Sequence, residues 1–386
     1  MEGYAGLIRG VVLLGAVDGF GIMNCTRSRP IRALGVLLGV SLLSSFEVVA
    51  QGFSESLLTT DNGYNPMPSP DGKHIAFVRV GWGESTFVSF GRSSLVSEVR
   101  VLNVEGDAVA YLLAKGYFLS GWTPDSVRLV CFRDSNYALV SLSGEQSGAG
   151  RIPNDPRFAM RTERAAYLSS FKTMIWSRPV DQFQWVIEAP DGRVVEESTF
   201  GRGRAIPSPD GRYLAVFGDG SETDLRVYDL RLKSWKELGS ISIHPDRNWS
   251  YIQPDWSPWF SDSSRLVFLR DSAFVIVTPD GRDKTEIKIE GQAGLPTPSP
   301  DGQSIAYATF EPRPMKVRPD LQFWGGTTIM VVSTSTGSKP RPVTLKNSDE
   351  VYDLKWLNNS AVVFDRVADE QFYGHARIWK ATVPPQ

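Results

Sequence analysis

Pro68-Ser69-Pro70-Asp71-Gly72 leads, after two residues, into the apolar run Ile75-Ala76-Phe77-Val78. The phrase returns as Pro207-Ser208-Pro209-Asp210-Gly211 before Leu214-Ala215-Val216-Phe217, and as Pro298-Ser299-Pro300-Asp301-Gly302 before Ile305-Ala306-Tyr307. Proline pre-sets the first turn position, aspartate tolerates the second, and glycine supplies the positive φ that reverses the chain. Short apolar runs after such turns suit strands buried between neighbouring sheets.

Weaker copies fill the gaps. Trp122-Thr123-Pro124-Asp125-Ser126 precedes Leu129-Val130-Cys131-Phe132, and Trp256-Ser257-Pro258 with Ser261-Asp262-Ser263-Ser264 precedes Leu266-Val267-Phe268-Leu269. Trp356-Leu357-Asn358-Asn359-Ser360 precedes Ala361-Val362-Val363-Phe364, and the poorest copy runs from Tyr167 to Lys172. Trp122, Trp256 and Trp356 read as one recurring packing position. A second hairpin follows each copy, with strands such as Val99-Arg100-Val101-Leu102, Leu225-Arg226-Val227-Tyr228 and Arg377-Ile378-Trp379-Lys380. Four strands per repeat is a propeller blade.

The anchors Asp71, Asp125, Lys172, Asp210, Asp262, Asp301 and Asn359 recur at a mean spacing of roughly 48 residues, a propeller period. The expected fold is all-β: a closed β-propeller of four-stranded antiparallel blades, seven in number, or six if the copy near Lys172 is no blade. The last copy has room for three strands only. Ser54–Thr59 is expected to supply the fourth beside Ile378, which pairs the chain ends and removes an exposed edge.

The phrase, with its preceding Pro or aromatic and following Leu/Ile-Ala-Phe/Tyr, resembles the WD-repeat-like propeller repeat of the TolB family over residues 53–386. The resemblance implies the fold. It does not imply an activity, because such propellers serve as binding modules, peptidase gates and lyases. The α/β domain that accompanies the TolB propeller has no room between Gln51 and the first repeat.

Residues 1–50 read as an export signal. Arg27, Arg29 and Arg32 precede Ala33-Leu34-Gly35-Val36-Leu37-Leu38-Gly39-Val40, and Val48-Val49-Ala50 supplies the small residues of a cleavage site after Ala50. Met23 would open a signal of ordinary length and is the expected start. No cysteine follows Ala50, so a lipid anchor is not expected. These features predict a periplasmic or secreted monomer, in contact with a membrane only through the signal.

Lys+Arg 41 against Asp+Glu 43, with no long basic run, gives a nucleic-acid partner no electrostatic support. Cys131, inside an apolar run, reads as a buried hydrophobe. The three histidines are His74, His244 and His375. His74 follows a turn and is expected at the surface. His244 and His375 fall in loops far apart in sequence, a weak basis for a metal site. There is no G-x-S-x-G elbow, P-loop or H-E-x-x-H. Asp71, Asp210 and Asp301 occupy identical turn positions in different repeats and so do not converge. No catalytic residue, metal or cofactor is therefore expected. The favoured function is a non-catalytic module binding a protein, peptide or glycan. The alternative is a propeller enzyme, a polysaccharide lyase or hydrolase, using His244, His375 and acids at the channel mouth.

Non-repeating segments locate the expected binding face. Repeats two and five join their second and third strands tightly, through Arg133-Asp134-Ser135-Asn136 and Arg270-Asp271-Ser272. Repeats one, six and seven have long connections there, and long connections in a compact domain are often functional. They carry Trp82 and Phe90; Arg313, Lys316, Arg318, Phe323 and Trp324; and Tyr373 and His375. Aromatics and arginine are enriched at binding hot spots. In a closed ring the three repeats are consecutive, which predicts one contiguous patch with a basic sector suited to an anionic or carboxylate-bearing ligand.

Overall fold

The computed structural model describes residues 48–50, 53–59, 62–80, 97–105, 111–123, 125–133, 136–151, 165–168, 173–178, 184–188, 194–199, 203–218, 222–242, 256–294, 296–311, 313–314, 322–323, 325–367 and 376–385. Regular structure among them is entirely β.

Seven antiparallel sheets of three or more strands follow one another along the described chain. The first sheet holds Tyr64–Pro68, His74–Val80, Ser97–Asn103 and Tyr111–Lys115, in that spatial order. The second runs from Phe118–Trp122 to Gln146–Arg151, and the third from Ala165–Leu168 to Val194–Thr199. The weakest sequence copy thus forms a four-stranded sheet like its neighbours. The fourth runs from Gly203–Pro207 to Ser234–Ser242. The fifth has Leu266–Arg270, Ala273–Val277 and Lys284–Lys288, with an isolated bridge from Trp259 to Leu266 where a first strand would lie. The sixth is built on Ser304–Phe310 and Thr328–Ser333.

The seventh sheet joins both ends of the described chain. Glu350–Asn358, Ala361–Val367 and Arg377–Thr382 are followed by Phe53–Leu57 and then Val48–Ala50. The expected pairing of the early strand is present, as Glu55↔Ala381, Ser56↔Lys380 and Leu57↔Trp379.

Where their side chains are described, the second strands are buried on both faces, which explains their unbroken apolar runs. Successive side chains alternate between the two flanking sheets. Ile75 and Phe77 pack with Leu357, Val363 and Ile378 of the seventh sheet, while Ala76 and Val78 pack with Leu129 and Cys131 of the second. Ile305 and Tyr307 meet Phe274 of the fifth, whose ring sits edge-on at 4.8 Å, while Ala306 meets Val362 and Phe364 of the seventh. Burial of a large apolar side chain contributes about 1.5–3 kcal/mol. Cys131 lies in this core, and burial pushes its thiol up to about 12.

The repeated phrase acts as a turn and a staple. Ser69 Oγ donates to Asp71 Oδ1 at 2.5 Å and accepts from His74 N at 2.9 Å, and Asp71 Oδ1 also accepts from Lys73 N. The same Ser/Thr–Asp pair closes the turns at Thr123–Asp125, Ser208–Asp210 and Ser299–Asp301. The backbone N–H of each strong copy's aspartate then reaches the next sheet: Asp71 to Ser126 Oγ, Asp210 to Ser263 Oγ, and Asp301 to Asn359 Oδ1. Ser126 and Ser263 take the place of the turn glycine, at φ 60° each.

Two sequence readings change. The tryptophan equivalent to Trp122 and Trp356 is Trp259, not Trp256. Trp122, Trp259 and Trp356 donate Nε1–H to an early strand of the preceding sheet, at Met67 O, Ile206 O and Thr297 O. Trp256 donates instead to Pro296 O of the following sheet. The register shifts because Phe260 holds the position of Ser69, its N–H closing the turn on Arg265 O. His74 is half-buried rather than a surface residue, because it alternates with Ala76 and Val78 toward the second sheet. Its ring centroid is 6.2 Å from that of Trp122, and its buried Nδ1 has no hydrogen-bond partner among the described residues.

Candidate functional site

The rim opposite the turns carries the connections between second and third strands and those between sheets. At the sixth sheet the long connection contains a short hairpin, Arg313–Pro314 paired with Gln322–Phe323. Arg313 Nη2 donates to Ser348 O at 2.8 Å, and Lys346 pairs with Glu311. The hairpin base is therefore tied to the segment entering the seventh sheet. Thr327 Oγ1 donates to Asp349 O at 2.8 Å, and Asp349 N donates to Asn347 Oδ1 at 2.9 Å. Among the described residues the Asp349 carboxyl accepts a long bond from Ser348 Oγ, at 3.4 Å. Burial lifts it above the usual carboxylate range, against the opposing pull of Arg366, that Ser348 bond, Arg313 and Arg377.

The junction of the seventh and first sheets is more deeply charged. Asp365 is fully buried and accepts from Asp353 N at 2.7 Å and from Asn65 N, on the first sheet, at 3.3 Å. Lys355 Nζ donates to Asn65 Oδ1 at 3.3 Å, and Gly63 N to Ala376 O at 2.9 Å. A Cβ on Gly63 would lie 2.9 Å from Ile378 Cδ1, so a larger residue there would have to displace the Ile378 side chain. Burial pushes the Tyr64 phenol up to about 12; its backbone bond at Ala376 opposes this and the Asp365 charge adds to it.

On the other face of the seventh sheet, Arg366 Nη1 donates to Glu55 Oε2 at 2.6 Å, with side chains 4% and 12% exposed. The guanidinium lies over Phe364 and Trp379, 4.9 and 5.2 Å from their ring centroids, and its buried Nε has no hydrogen-bond partner among the described residues. Arg377 stands directly across the ladder from Arg366. A repeating signal could have found this ion pair: Arg79, Arg270 and Arg366 lie at or one residue before the ends of second strands, and each pairs with a glutamate, at Glu98, Glu286 and Glu55. The burial of the last pair is what sequence spacing does not reveal.

Of the residues expected on the binding face, Arg313 alone has a described side chain. It is engaged with Ser348 O. Phe323 lies in the hairpin described above, as backbone. Trp82, Phe90, Lys316, Arg318, Trp324, Tyr373 and His375 lie outside the described residues, as do His244 and the segment read as an export signal up to Glu47. Sequence reasoning missed Asp349, Asp365, Arg366 and Glu55. Among the described residues no group of three or more His, Cys, Asp or Glu side chains is placed to hold a metal ion, and no helix is long and apolar enough to cross a membrane.

No protein-family model and no curated protein matches the sequence. Solved structures do resemble the fold. The β-propeller domain of the Trilobed protease from Pyrococcus furiosus superposes with a TM-score of 0.55 at 10% identity, over 83% of this chain and 95% of that one. An acylaminoacyl peptidase from Pyrococcus horikoshii gives 0.55 at 10% identity, over 82% of this chain and 50% of that one. The Swd1 β-propeller domain of Myceliophteria thermophila gives 0.53 at 12% identity, over 86% and 100%. With the strand order above, these likenesses show the β-propeller fold.

Proposed function

We propose that this protein is an exported, non-catalytic propeller that binds a protein, peptide or glycan and acts as a scaffold. The ring is closed and has seven blades, one for each sheet described above. The ligand sits on the rim where the long connections of sheets six, seven and one emerge, with Trp82, Phe90, Arg313, Arg318, Phe323, Trp324, Tyr373 and His375 as its contacts. One observation carries this reading: the described ends of those three sheets are tied to one another on that rim, by Arg313 to Ser348 O, Gly63 to Ala376 O and Asn65 to Asp365. Ties of this kind hold loops on a rigid frame, as a preformed binding surface requires. Cleavage after Ala50 would remove the outer strand Val48–Ala50 and leave Phe53–Leu57 in the seventh sheet. The mature chain is a monomer in the periplasm or outside the cell.

Affinity purification of the tagged mature chain from the exporting compartment tests this reading. It predicts a reproducible partner and no stoichiometric transition metal. A bound metal together with turnover in a glycan and peptide screen would favour a propeller enzyme instead.

A further inference from the structure

The fourth sheet departs from the others at one turn. Its third and outer strands, Glu222–Asp229 and Ser234–Ser242, are joined on the turn rim by Leu230-Arg231-Leu232-Lys233. In the second and fifth sheets the same connection turns on a glycine at positive φ beside an acid, at Gly144-Glu145 and Asp280-Gly281, and in the sixth on Gly337 between Thr336 and Ser338. The fourth has no glycine there, and Lys233 itself takes the positive φ, 53°, a conformation disfavoured for lysine. Leu232 at the tip is 66% exposed, more than any other large hydrophobic among the described residues. Trp235, 39% exposed, stands just behind it with its ring centroid 4.7 Å from that of Tyr228. The tip is fixed from below: Asp229 Oδ1 accepts from Arg231 N and Leu232 N, both at 2.9 Å, and Asp229 Oδ2 accepts from Arg212 Nη2 at 3.0 Å. Leu230–Lys236 holds Arg231, Lys233 and Lys236 and no acid. Arg231 and Lys236 form no ion pair among the described residues, whereas the acids on either side are matched, Asp229 by Arg212 and Glu237 by Arg226. The neighbouring turn of the fifth sheet is balanced, Asp280 and Asp283 against Arg282 and Lys284.

We propose that this tip docks on an anionic lipid bilayer, with Leu232 entering the headgroup layer and Arg231 and Lys236 meeting lipid phosphates. The inference goes beyond the ligand-binding rim described above and does not depend on it. Binding at a bilayer surface combines burial of apolar area with attraction of cations to anionic lipid, and this turn holds both within seven residues, Leu230–Lys236. Tryptophan suits the interface because its ring is apolar and its N–H polar. Lys236 lays its stem along the fifth sheet, where a Cβ on Gly281 would lie 3.1 Å from Lys236 Cε, while its ammonium stays in water. A bilayer is favoured over an acidic protein by area. Two apolar side chains on a narrow turn offer far less than the roughly 800 Å² per partner that a stable protein interface buries. A bilayer accepts an isolated tip and adds the attraction of each nearby cation. Docking through the turn rim leaves the opposite rim, with its long connections, clear of the membrane.

Sedimentation of the purified mature chain with lipid vesicles tests the inference. Vesicles of phosphatidylglycerol mixed with phosphatidylcholine should carry the protein down, and phosphatidylcholine alone should carry down much less. Leu232→Ser should weaken binding to the anionic vesicles by roughly tenfold, the scale of burying one large apolar side chain. Arg231→Gln combined with Lys236→Gln should weaken it by about tenfold or more, the scale of two cations beside an anionic surface. Val127→Ser, at an exposed hydrophobic on the turn of the second sheet, should change nothing, and no variant should shift the melting temperature, because each side chain is exposed. Glycerol phosphate, the soluble headgroup, should not compete at matched ionic strength. No binding, equal binding to the two kinds of vesicle, wild-type binding by Leu232→Ser, or displacement by glycerol phosphate would overturn the proposal. Loss of partner capture in Leu232→Ser without any vesicle binding would overturn it too, and would make the tip a protein contact.

Discussion

The two rims of the sheets are built on opposite principles. On the turn rim the same short phrase recurs, its charges are exposed, and each aspartate is satisfied within its own turn. On the opposite rim an arginine–glutamate pair recurs at three sheets with different burial, and charges are buried at the seams: Asp365 between the seventh and first sheets, Arg366 and Glu55 on the side facing the sixth. Exposed pairs contribute little, whereas breaking a buried pair leaves a charge stranded in a low-dielectric site. The turn rim therefore sets the fold by many small, interchangeable ties. The seam rim depends on a few ties that cannot be exchanged, and these cluster where the strand Phe53–Leu57 joins the seventh sheet.

The largest expected effect comes from removing that strand. A chain trimmed to begin at Asp61 loses the partner of Arg377–Thr382 and the acid that pairs Arg366, so it should melt well below the full mature chain and aggregate through its open edge. Equal melting curves would refute the role given to the strand. Next comes Glu55→Gln, which leaves Arg366 buried without its acid and should cost about 3–5 kcal/mol in denaturant unfolding. The parallel change Glu286→Gln, at the exposed pair with Arg270, should barely alter the melt. If the two substitutions behave alike, burial does not set the worth of these pairs. Ser126→Ala removes the acceptor of the Asp71 N–H and should cost about 1 kcal/mol.

The smallest effects are those of pH, and they have opposite signs on the two rims. Hydrogen bonds from Ser69, Thr123, Ser264 and Thr278 hold the carboxyls of Asp71, Asp125, Asp262 and Asp280 below the usual range. Their stabilisation is present above the unfolded carboxyl pKa, about 3.9, and is lost as pH falls through the folded values. Asp349 is raised, so its contribution is complete below the unfolded value and is lost as pH rises through the folded one. Asp349→Asn should therefore hold or raise the melting temperature at neutral pH while leaving acid unfolding below pH about 4 in place. A drop at neutral pH would show that ionised Asp349 is stabilising after all.

Local patterns carried most of the fold. The Pro-Asp-Gly turns and the apolar runs after them are short-range signals, and they marked the second strand of each sheet correctly. The weak copies turned out to be the other half of a device. Ser126, Ser263 and Asn359 replace or neighbour the turn glycine so that a side chain can accept the N–H of the strong copy before it. A reading that scores resemblance to the strong copy sees these only as decay. The displaced Trp256 is a similar case, since a three-residue shift is invisible until the hydrogen-bond partner is known. The seam charges were least legible. Glu55 and Arg366 lie 311 positions apart, and nothing local marks either as buried.

Partner capture by two single variants on opposite rims measures the central claim most directly. Tagged wild type, Trp324→Ala and Ser126→Ala are each exported, purified and compared for the amount of co-purifying partner and for melting temperature. The binding-rim account predicts that Trp324→Ala weakens capture by about 1 kcal/mol or more at an unchanged melting temperature, while Ser126→Ala lowers the melt and leaves capture intact. If Trp324→Ala lowers the melt and leaves capture untouched, the long connections are a small core of their own and the ligand binds elsewhere.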